Sequence, residues 1–218
     1  MHILDKAAII FDWDGTLFNS MEYKMRNMIK IFTELSVSEF EAVQLYRKLS
    51  GVPREKLFKA MFDKLLGRRM TDGEYIHLSN TFTNLNIESS LHAKLFNDVI
   101  PAIKKLKILF CLFISSSSDH KELISVVKSN QIEEYFEGVF GSKQGFNKGQ
   151  DHFQHIMEKY LLKLQDLLFV GDDDQDMLIG KECGVDTVRI IREGLILKNN
   201  DHPYITKLSD LVLLLKKV

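Results

Sequence analysis

Acidic residues occur in two short clusters whose spacing could serve a metal ion. The first cluster holds Asp12 and Asp14, and the second begins at Asp172. A calcium-binding loop is the first chemistry to test, because such a loop carries oxygen ligands at alternate positions. Counted from Asp172, its glycine position holds Met177 and its glutamate position holds Cys183. The first cluster fails the same count, so neither cluster is a calcium loop.

The elements predicted around these clusters place them at one edge of a sheet. Apolar runs predict strands at residues 7–11, 108–114, 136–140, 167–170 and 185–191, with helices between the later ones. This alternation predicts an α/β fold with a doubly wound, Rossmann-like parallel sheet covered by helices on both faces. Ligands bind at the carboxyl ends of parallel strands. The polar residues expected to converge there are Asp12, Asp14, Ser115, Ser116, Lys148, Asp172 and Asp176.

Each of these groups has an ordinary structural explanation when it stands alone. Asp-Gly after a strand usually forms a turn, and a run of serines usually forms a loop or a helix cap. A lone lysine is usually on the surface, and aspartates often precede a helix because its dipole favours them. Their order along the chain, each at a strand end or a helix start, favours one functional site instead.

This order resembles the haloacid dehalogenase-like superfamily, in its phosphoglycolate phosphatase and beta-phosphoglucomutase branch. The similarity covers nearly the whole chain and rests on residues 11–17 (FDWDGTL), Ile114 with Ser115, Lys148, and Gly171-Asp172 with Asp176. The chain departs from that branch after the lysine, where proline is common and Gly149 stands here. Lys143 is therefore a rival for the active-site lysine.

The resemblance implies a magnesium-dependent phosphatase that forms a phosphoaspartate. Asp12 would attack phosphorus, and Asp14 would protonate the leaving oxygen and then activate water. Oxygens of Asp12 and Asp172, with the backbone carbonyl of Asp14, would hold Mg²⁺. Dehalogenases of the superfamily lack the second aspartate, so Asp14 favours phosphoester hydrolysis or phosphoryl transfer between hydroxyls of one sugar.

The resemblance also assigns roles around the phosphate. Lys148 would oppose its negative charge, and Ser115 and Ser116 would supply hydroxyl donors. Asp176 would support Lys148 or the water ligands of the metal. The expected substrate is a small-molecule phosphomonoester.

A helical segment separates the first predicted strand from the others. We expect residues 19–88 to form an inserted helical cap domain, and residues 1–18 with 89–218 to form the catalytic core. Ser38 with Glu41, and Thr71 with Glu74, predict capping boxes in this segment. The segment 51–54 (GVPR) resembles a cap loop of this branch, which makes Arg54 either a specificity residue or an exposed residue at a helix start.

Charge and composition restrict the partners. The 218 residues carry a net charge of −1, which gives no reason to expect nucleic acid or an anionic membrane as a partner. Residues 45–70 hold eight basic and two acidic residues, typical either of solvated helix faces or of a field that attracts anions. Two distant cysteines, and no apolar run resembling a signal peptide or a membrane span, predict a cytoplasmic protein. Nothing in the sequence requires more than a monomer.

Two alternatives remain beside the phosphatase. One is a phosphosugar mutase of the beta-phosphoglucomutase type, which would isomerise its substrate without steady phosphate release. The other is a non-catalytic binding module on the same fold, since a fold alone does not specify a function.

Overall fold

The computed structural model describes residues 6–49, 52–192 and 203–215. The protein divides into two compact units. The first contains the chain up to Asn19 and from Lys94 onward, and the second is Ser20–Ala93. The sequence places the corresponding boundaries at residues 18 and 89. The second junction lies later in the structure because the last helix of the second unit continues to Ser90 and a turn follows.

The regular elements of the second unit, within its described residues, are helices joined by turns. Its helices are α1 (Met21–Glu34), α2 (Glu39–Lys48), α3 (Arg54–Leu66) and α4 (Asp72–Ser90). An aromatic cluster forms its core, with the ring of Phe32 packed 6.3 Å from that of Phe58 and 5.6 Å from that of Phe62. The predicted capping box of Thr71 is present, whereas the side chain of Ser38 makes no capping hydrogen bond, so that second prediction is wrong.

The first unit is built on a parallel sheet. Its strands are β1 (Ala8–Phe11), β2 (Cys111–Asp119), β3 (Gly138–Ser142), β4 (Leu167–Gly171), β5 (Asp186–Ile190) and β6 (Tyr204–Ile205). They lie in the order β3-β2-β1-β4-β5-β6, and each neighbouring pair is parallel. All residues of β1 and β4 are buried, as expected of central strands between two helical layers. The predicted fold class is confirmed.

Helices connect and cover these strands. They are α5 (Val99–Leu106), α6 (His120–Ser129), α7 (Gln150–Tyr160), α8 (Asp174–Cys183) and α9 (Leu208–Leu215). Side chains from α7 join those of β1, β2 and β4 in one apolar core, where Phe153 meets Phe169 at 5.2 Å. Within the described part of the chain, no helix combines the length and the apolar character needed to cross a membrane.

The sequence misplaced the second strand. The prediction ended it at Ile114, but β2 begins at Cys111 and runs through all four serines to Asp119. Ile108 is 81% exposed and lies in the turn after α5 rather than in the strand. The extension follows from pairing, because the last residues of β2 bond to β3.

The strand register aligns Phe11 of β1 with Ile114 of β2 and with Val170 of β4. Ala8–Phe11 pairs with Cys111–Ile114 on one side and with Leu167–Val170 on the other. The residues that follow these three segments therefore stand side by side at the carboxyl edge of the sheet.

Candidate active site

Asp12 occupies the centre of this edge. It follows β1 directly, and its backbone N–H donates to the carbonyl of Val170 in β4 at 2.8 Å. The residue is 4% exposed, so its carboxylate has lost most contact with water. A carboxylate that is fixed at a strand end and stripped of water is well placed to act as a nucleophile on a bound ligand.

Lys148 contacts the carboxylate of Asp12. Its ammonium group lies 2.5 Å from Asp12 Oδ1 and also donates to Asp176 Oδ1. The lysine stands just before α7, and its Nζ lies 5.6 Å above the ring of Phe169. The rival Lys143 is exposed, with its Nζ 5.1 Å from the centre of the Phe146 ring. The structure thus brings Lys148 to Asp12, whereas the described contact of Lys143 is to an aromatic ring.

A tight turn joins the two acidic clusters. Gly15 has φ +82°, and a Cβ there would lie 2.3 Å from Asp172 Oδ2. Only glycine permits both the conformation and this close approach. The next residue, Thr16, donates its hydroxyl to Asp172 Oδ1 at 3.0 Å. The Asp-Gly-Thr segment therefore forms the surface against which Asp172 packs.

Two serines of β2 hold the carboxylate of Asp14. Ser118 donates to Asp14 Oδ2 at 2.5 Å, and Ser116 donates to the same oxygen at 3.4 Å. Both residues lie on one face of the strand because side chains alternate along it. These hydroxyls orient the group that the sequence assigns to proton transfer.

Ser115, predicted as a phosphate donor, contacts a histidine in the structure. Its side chain lies on the other face of β2 and is fully buried, with Oγ 2.9 Å from His152 Nδ1. This bond joins β2 to the first turn of α7. Of the two predicted donors, Ser116 contacts Asp14.

Asp176 supports the site from within α8. Its Oδ2 accepts from the backbone N–H of Asp172 at 3.1 Å, while Oδ1 accepts from Lys148. Asp173 caps the helix by accepting from the backbone N–H of Asp176 at 2.9 Å. Gly171 makes room for this arrangement, since a Cβ there would lie 2.2 Å from Asp176 Oδ2.

Burial and mutual repulsion control the charges of these carboxylates. Burial raises the pKa of Asp12 well above its usual value; Lys148 opposes this effect, and the charges of Asp176 and Asp14 add to it. Burial also raises the pKa of Asp172, and the charge of Asp12 adds to that shift. Burial disfavours the charge of Lys148, but Asp12 and Asp176 outweigh it and raise the pKa of this lysine well above its usual value. One lysine thus faces several carboxylates.

The donor set fits a hard divalent cation. Oxygens of Asp12, Asp172 and Asp176 lie within 4.8 Å of one another, and all are of the type that Mg²⁺ prefers. Asp176 already receives Lys148 and two backbone N–H groups, which leaves Asp12 and Asp172 as the better metal ligands. A bound cation would offset the repulsion that raises the pKa of both.

Arg54 lies in the second unit and is engaged there. It is the first residue of α3, its guanidinium donates to Thr83 Oγ1 at 2.6 Å, and it lies 5.0 Å above the ring of Phe82. Of the predicted cap loop, Gly51 lies outside the described residues. In the surrounding basic stretch, Lys59 pairs with Glu55 at 2.6 Å and Arg68 pairs with Glu74 at 2.6 Å.

Two residues of the site carry contacts that the sequence did not assign. Thr16 was noted only as part of the FDWDGTL motif, and Ser118 only as part of a serine run. Strand alternation could have identified Ser118 once Ser116 was assigned to the active face, provided that β2 was known to continue that far.

The parallel sheet carries a carboxylate, a lysine and further aspartates at its carboxyl edge, which is the arrangement of an α/β enzyme with its site at the strand ends. The sequence profile of the "Haloacid dehalogenase-like hydrolase" family matches residues 9–190. The chain belongs to this family, so it is a hydrolase by family, and the resemblance noted from the motifs is confirmed.

Similar proteins agree with this assignment. A glyceraldehyde 3-phosphate phosphatase of Methanocaldococcus jannaschii is 26% identical, with 97% of both chains covered. An enolase-phosphatase E1 of Shewanella loihica is 25% identical over 53% of this chain, and the match spans about half of that relative, 52%. The crystal structure of a predicted phosphoglycolate phosphatase from Haemophilus somnus superposes with a TM-score of 0.79 at 18% identity, covering 97% of this chain and 99% of that one.

Proposed function

We propose that the protein is a magnesium-dependent phosphatase that hydrolyses small-molecule phosphomonoesters through a phosphoaspartate on Asp12. The observation that carries the proposal is the placement of Lys148 on the carboxylate of Asp12, with Asp14 two residues further on and held by serine hydroxyls. Relatives that are named as phosphatases support the same reaction class.

The first step transfers the phosphoryl group to the protein. A carboxylate oxygen of Asp12 forms a bond to phosphorus, and the bond from phosphorus to the ester oxygen breaks. Asp14 donates its proton to that oxygen, which leaves as an alcohol. The products of this step are an acyl phosphate on Asp12 and an ionised Asp14.

The second step restores the protein. Asp14 removes a proton from a water molecule, whose oxygen attacks phosphorus while the bond to Asp12 breaks. Inorganic phosphate leaves, Asp12 is again a carboxylate, and Asp14 is again protonated. One residue thus serves as acid and then as base, which requires that its carboxyl group stay in one position.

The surrounding residues stabilise and orient these groups. Lys148 offsets negative charge on Asp12 and on the transferred phosphoryl group, and Asp176 fixes the lysine. Ser116 and Ser118 orient Asp14 through their hydroxyl groups. Asp12, Asp172 and the carbonyl of Asp14 would hold Mg²⁺, which supplies positive charge to phosphate oxygens.

The substrate class follows from the same chemistry. A single lysine and one cation suit one phosphoryl group, and phosphoglycolate and sugar phosphates are the candidates. The specificity role of Arg54 stays a prediction. Replacement of Arg54 by Lys should raise KM more than it lowers kcat if the guanidinium reads the substrate.

Phosphate release from a panel of phosphomonoesters, with and without Mg²⁺, tests the proposal. We expect Mg²⁺-dependent release by the wild type and none by Asp12→Asn. Asp186→Asn is the matched control, since it removes a carboxylate that pairs with Lys6 at the opposite end of the sheet. Sugar-phosphate isomerisation without release would indicate the mutase. Release that persists in Asp12→Asn would contradict the assigned nucleophile.

A further inference from the structure

Arg192 is a buried arginine next to the proposed metal site. It follows β5, is 8% exposed, and makes three sets of contacts within the first unit. Its Nε donates to the carbonyl of Thr16 at 3.2 Å, and its Nη2 donates to the same oxygen. Its Nη1 donates to both oxygens of Asp98 at 2.8 and 2.9 Å. The guanidinium carbon lies 4.1 Å above the ring of Phe96.

These contacts fix the guanidinium in one orientation. Asp98 holds one end of its plane and is itself held, because Asp98 Oδ2 accepts from the backbone N–H of Leu208 at 2.7 Å. Phe96 covers one face of the plane. The planar guanidinium holds its N–H groups in fixed directions, so that it binds the carboxylate and the carbonyl oxygen in one set geometry. The guanidinium of Arg192, already held by Asp98 and Phe96, therefore donates to the carbonyl of Thr16 in one set direction.

Thr16 links the position of the Arg192 guanidinium to the position of the Asp172 carboxylate. The residue is fully buried, and its hydroxyl donates to Asp172 Oδ1 at 3.0 Å. The position of its backbone thus determines where one oxygen of a proposed metal ligand lies. A second arginine acts on the same ligand, since Arg189 Nε donates to the backbone carbonyl of Asp172 at 3.2 Å.

A purely structural role explains these contacts less well. Burial disfavours the charge of Arg192 and lowers its pKa, although Asp98 offsets this effect. An apolar side chain could fill the same space without the cost of burying a charge. The buried charge of Arg192 is retained where its guanidinium binds the turn that contains Thr16, beside Asp172.

We propose that Arg192 is a positioning residue for the metal site, acting through Thr16 on the carboxylate of Asp172. This role rests on the proposed function, because it assumes that Asp172 binds Mg²⁺. Groups behind metal ligands commonly contribute about 10- to 100-fold to metal affinity. The proposal therefore concerns metal affinity before it concerns the chemical step.

The test compares Arg192→Lys and Arg192→Met with the wild type. Lysine can keep the ion pair with Asp98 but not the two bonds to Thr16. Lys6→Met is the matched control, because Lys6 is also 8% exposed and also forms an ion pair, with Asp186 at 2.7 Å, at the other end of β5. Titration with Mg²⁺ alone, followed by calorimetry, gives the dissociation constant. Phosphate release at increasing Mg²⁺ gives kcat.

For Arg192→Lys we expect the dissociation constant for Mg²⁺ to rise about tenfold, with much of kcat recovered at saturating Mg²⁺. Lys6→Met should lower thermal stability and leave the constant within about twofold of the wild type. An unchanged constant in both Arg192 variants would overturn the proposal while leaving the proposed function intact. An equal rise in Lys6→Met would overturn it as well. If the wild type binds no Mg²⁺, the metal site fails and this role fails with it.

Discussion

In the proposed reaction the carboxyl group of Asp14 donates and accepts a proton at one place, and two serine hydroxyls hold it there. Ser118 and Ser116 both bond to Asp14 Oδ2, whereas Ser117 belongs to the opposite face of β2. We expect Ser118→Ala to lower kcat about tenfold with little change in KM, because a hydrogen bond to a charged group contributes about 1.5–3 kcal/mol.

Ser117→Ala is the control for that substitution, since it alters the neighbouring residue of the same strand. Steady-state phosphate release measures both variants. Equal rates for Ser118→Ala and the wild type would contradict the role of this hydroxyl.

His152 provides a pH-dependent test of a single buried residue. Burial lowers its pKa from 6.5 to about 4, and its Nδ1 lies 2.9 Å from Ser115 Oγ. Because the folded pKa is depressed, the unfolded chain takes up a proton first as the pH falls below about 6.5. The neutral histidine therefore favours folding at neutral pH, and that advantage is lost between about pH 6.5 and 4.

We expect His152→Gln to reduce this loss. The wild type should lose about 3 kcal/mol of unfolding free energy across that pH range through His152 alone. Urea unfolding of both proteins at several pH values isolates this contribution, because the other titrating groups are common to both. Parallel pH profiles would show that His152 titrates normally.

At the residue scale the sequence placed the acidic groups and Ser116 at the rim, but it assigned no role to Ser118. The motif predicted Asp12, Asp14 and Asp172 at one rim, and the structure brings them there with Lys148. The motif could not show which of the four consecutive serines face that rim. That depends on how far β2 continues and on its pairing with β3.

Helix starts show at the element scale what local sequence can determine. Both Ser38 and Thr71 begin a helix and precede a glutamate by three residues, but only Thr71 forms the capping box. We expect Thr71→Ala to lower the free energy of unfolding by about 1 kcal/mol, because the N–H of Glu74 loses its acceptor.

Ser38→Ala should change the unfolding free energy by much less, which makes it the matched control. Equilibrium urea unfolding measures both variants. A larger effect at Ser38 than at Thr71 would contradict the assignment of the caps.

Element order was predictable because five of the strands contain a short apolar run and helices lie between the later runs. The first and last residues of each element were less predictable. Ile108 and Leu109 read as the start of β2 but lie exposed in a turn, since α5 ends nearby and pairing with β1 begins only at Cys111. The two-residue strand β6 has no sequence signal of its own and depends on its pairing with β5.

At the scale of the whole molecule, the cluster of buried carboxylates should oppose folding until a cation binds. The raised pKa of Asp172 means that its charged form is disfavoured in the folded protein, so neutralising it should stabilise the metal-free protein near pH 7. We expect Asp172→Asn to raise Tm without metal. Thr16 retains an oxygen acceptor in this variant.

Added Mg²⁺ should then raise the Tm of the wild type, because a ligand that binds the folded protein shifts the folding equilibrium. It should not raise the Tm of Asp172→Asn, which lacks the proposed metal ligand. Thermal unfolding with and without Mg²⁺ measures both effects. A similar Mg²⁺-dependent rise in the two proteins would contradict Asp172 as a metal ligand.

The most direct test of the central claim is to detect the acyl phosphate on Asp12. In Asp14→Asn with p-nitrophenyl phosphate and Mg²⁺, the leaving group needs no proton, but the water that completes the reaction lacks its base. Acid quenching followed by borohydride reduction converts an acyl phosphate of aspartate into homoserine. The proposed mechanism predicts homoserine at Asp12 by peptide mass spectrometry. Intact Asp12, together with Mg²⁺-dependent phosphate release by the wild type, would contradict it.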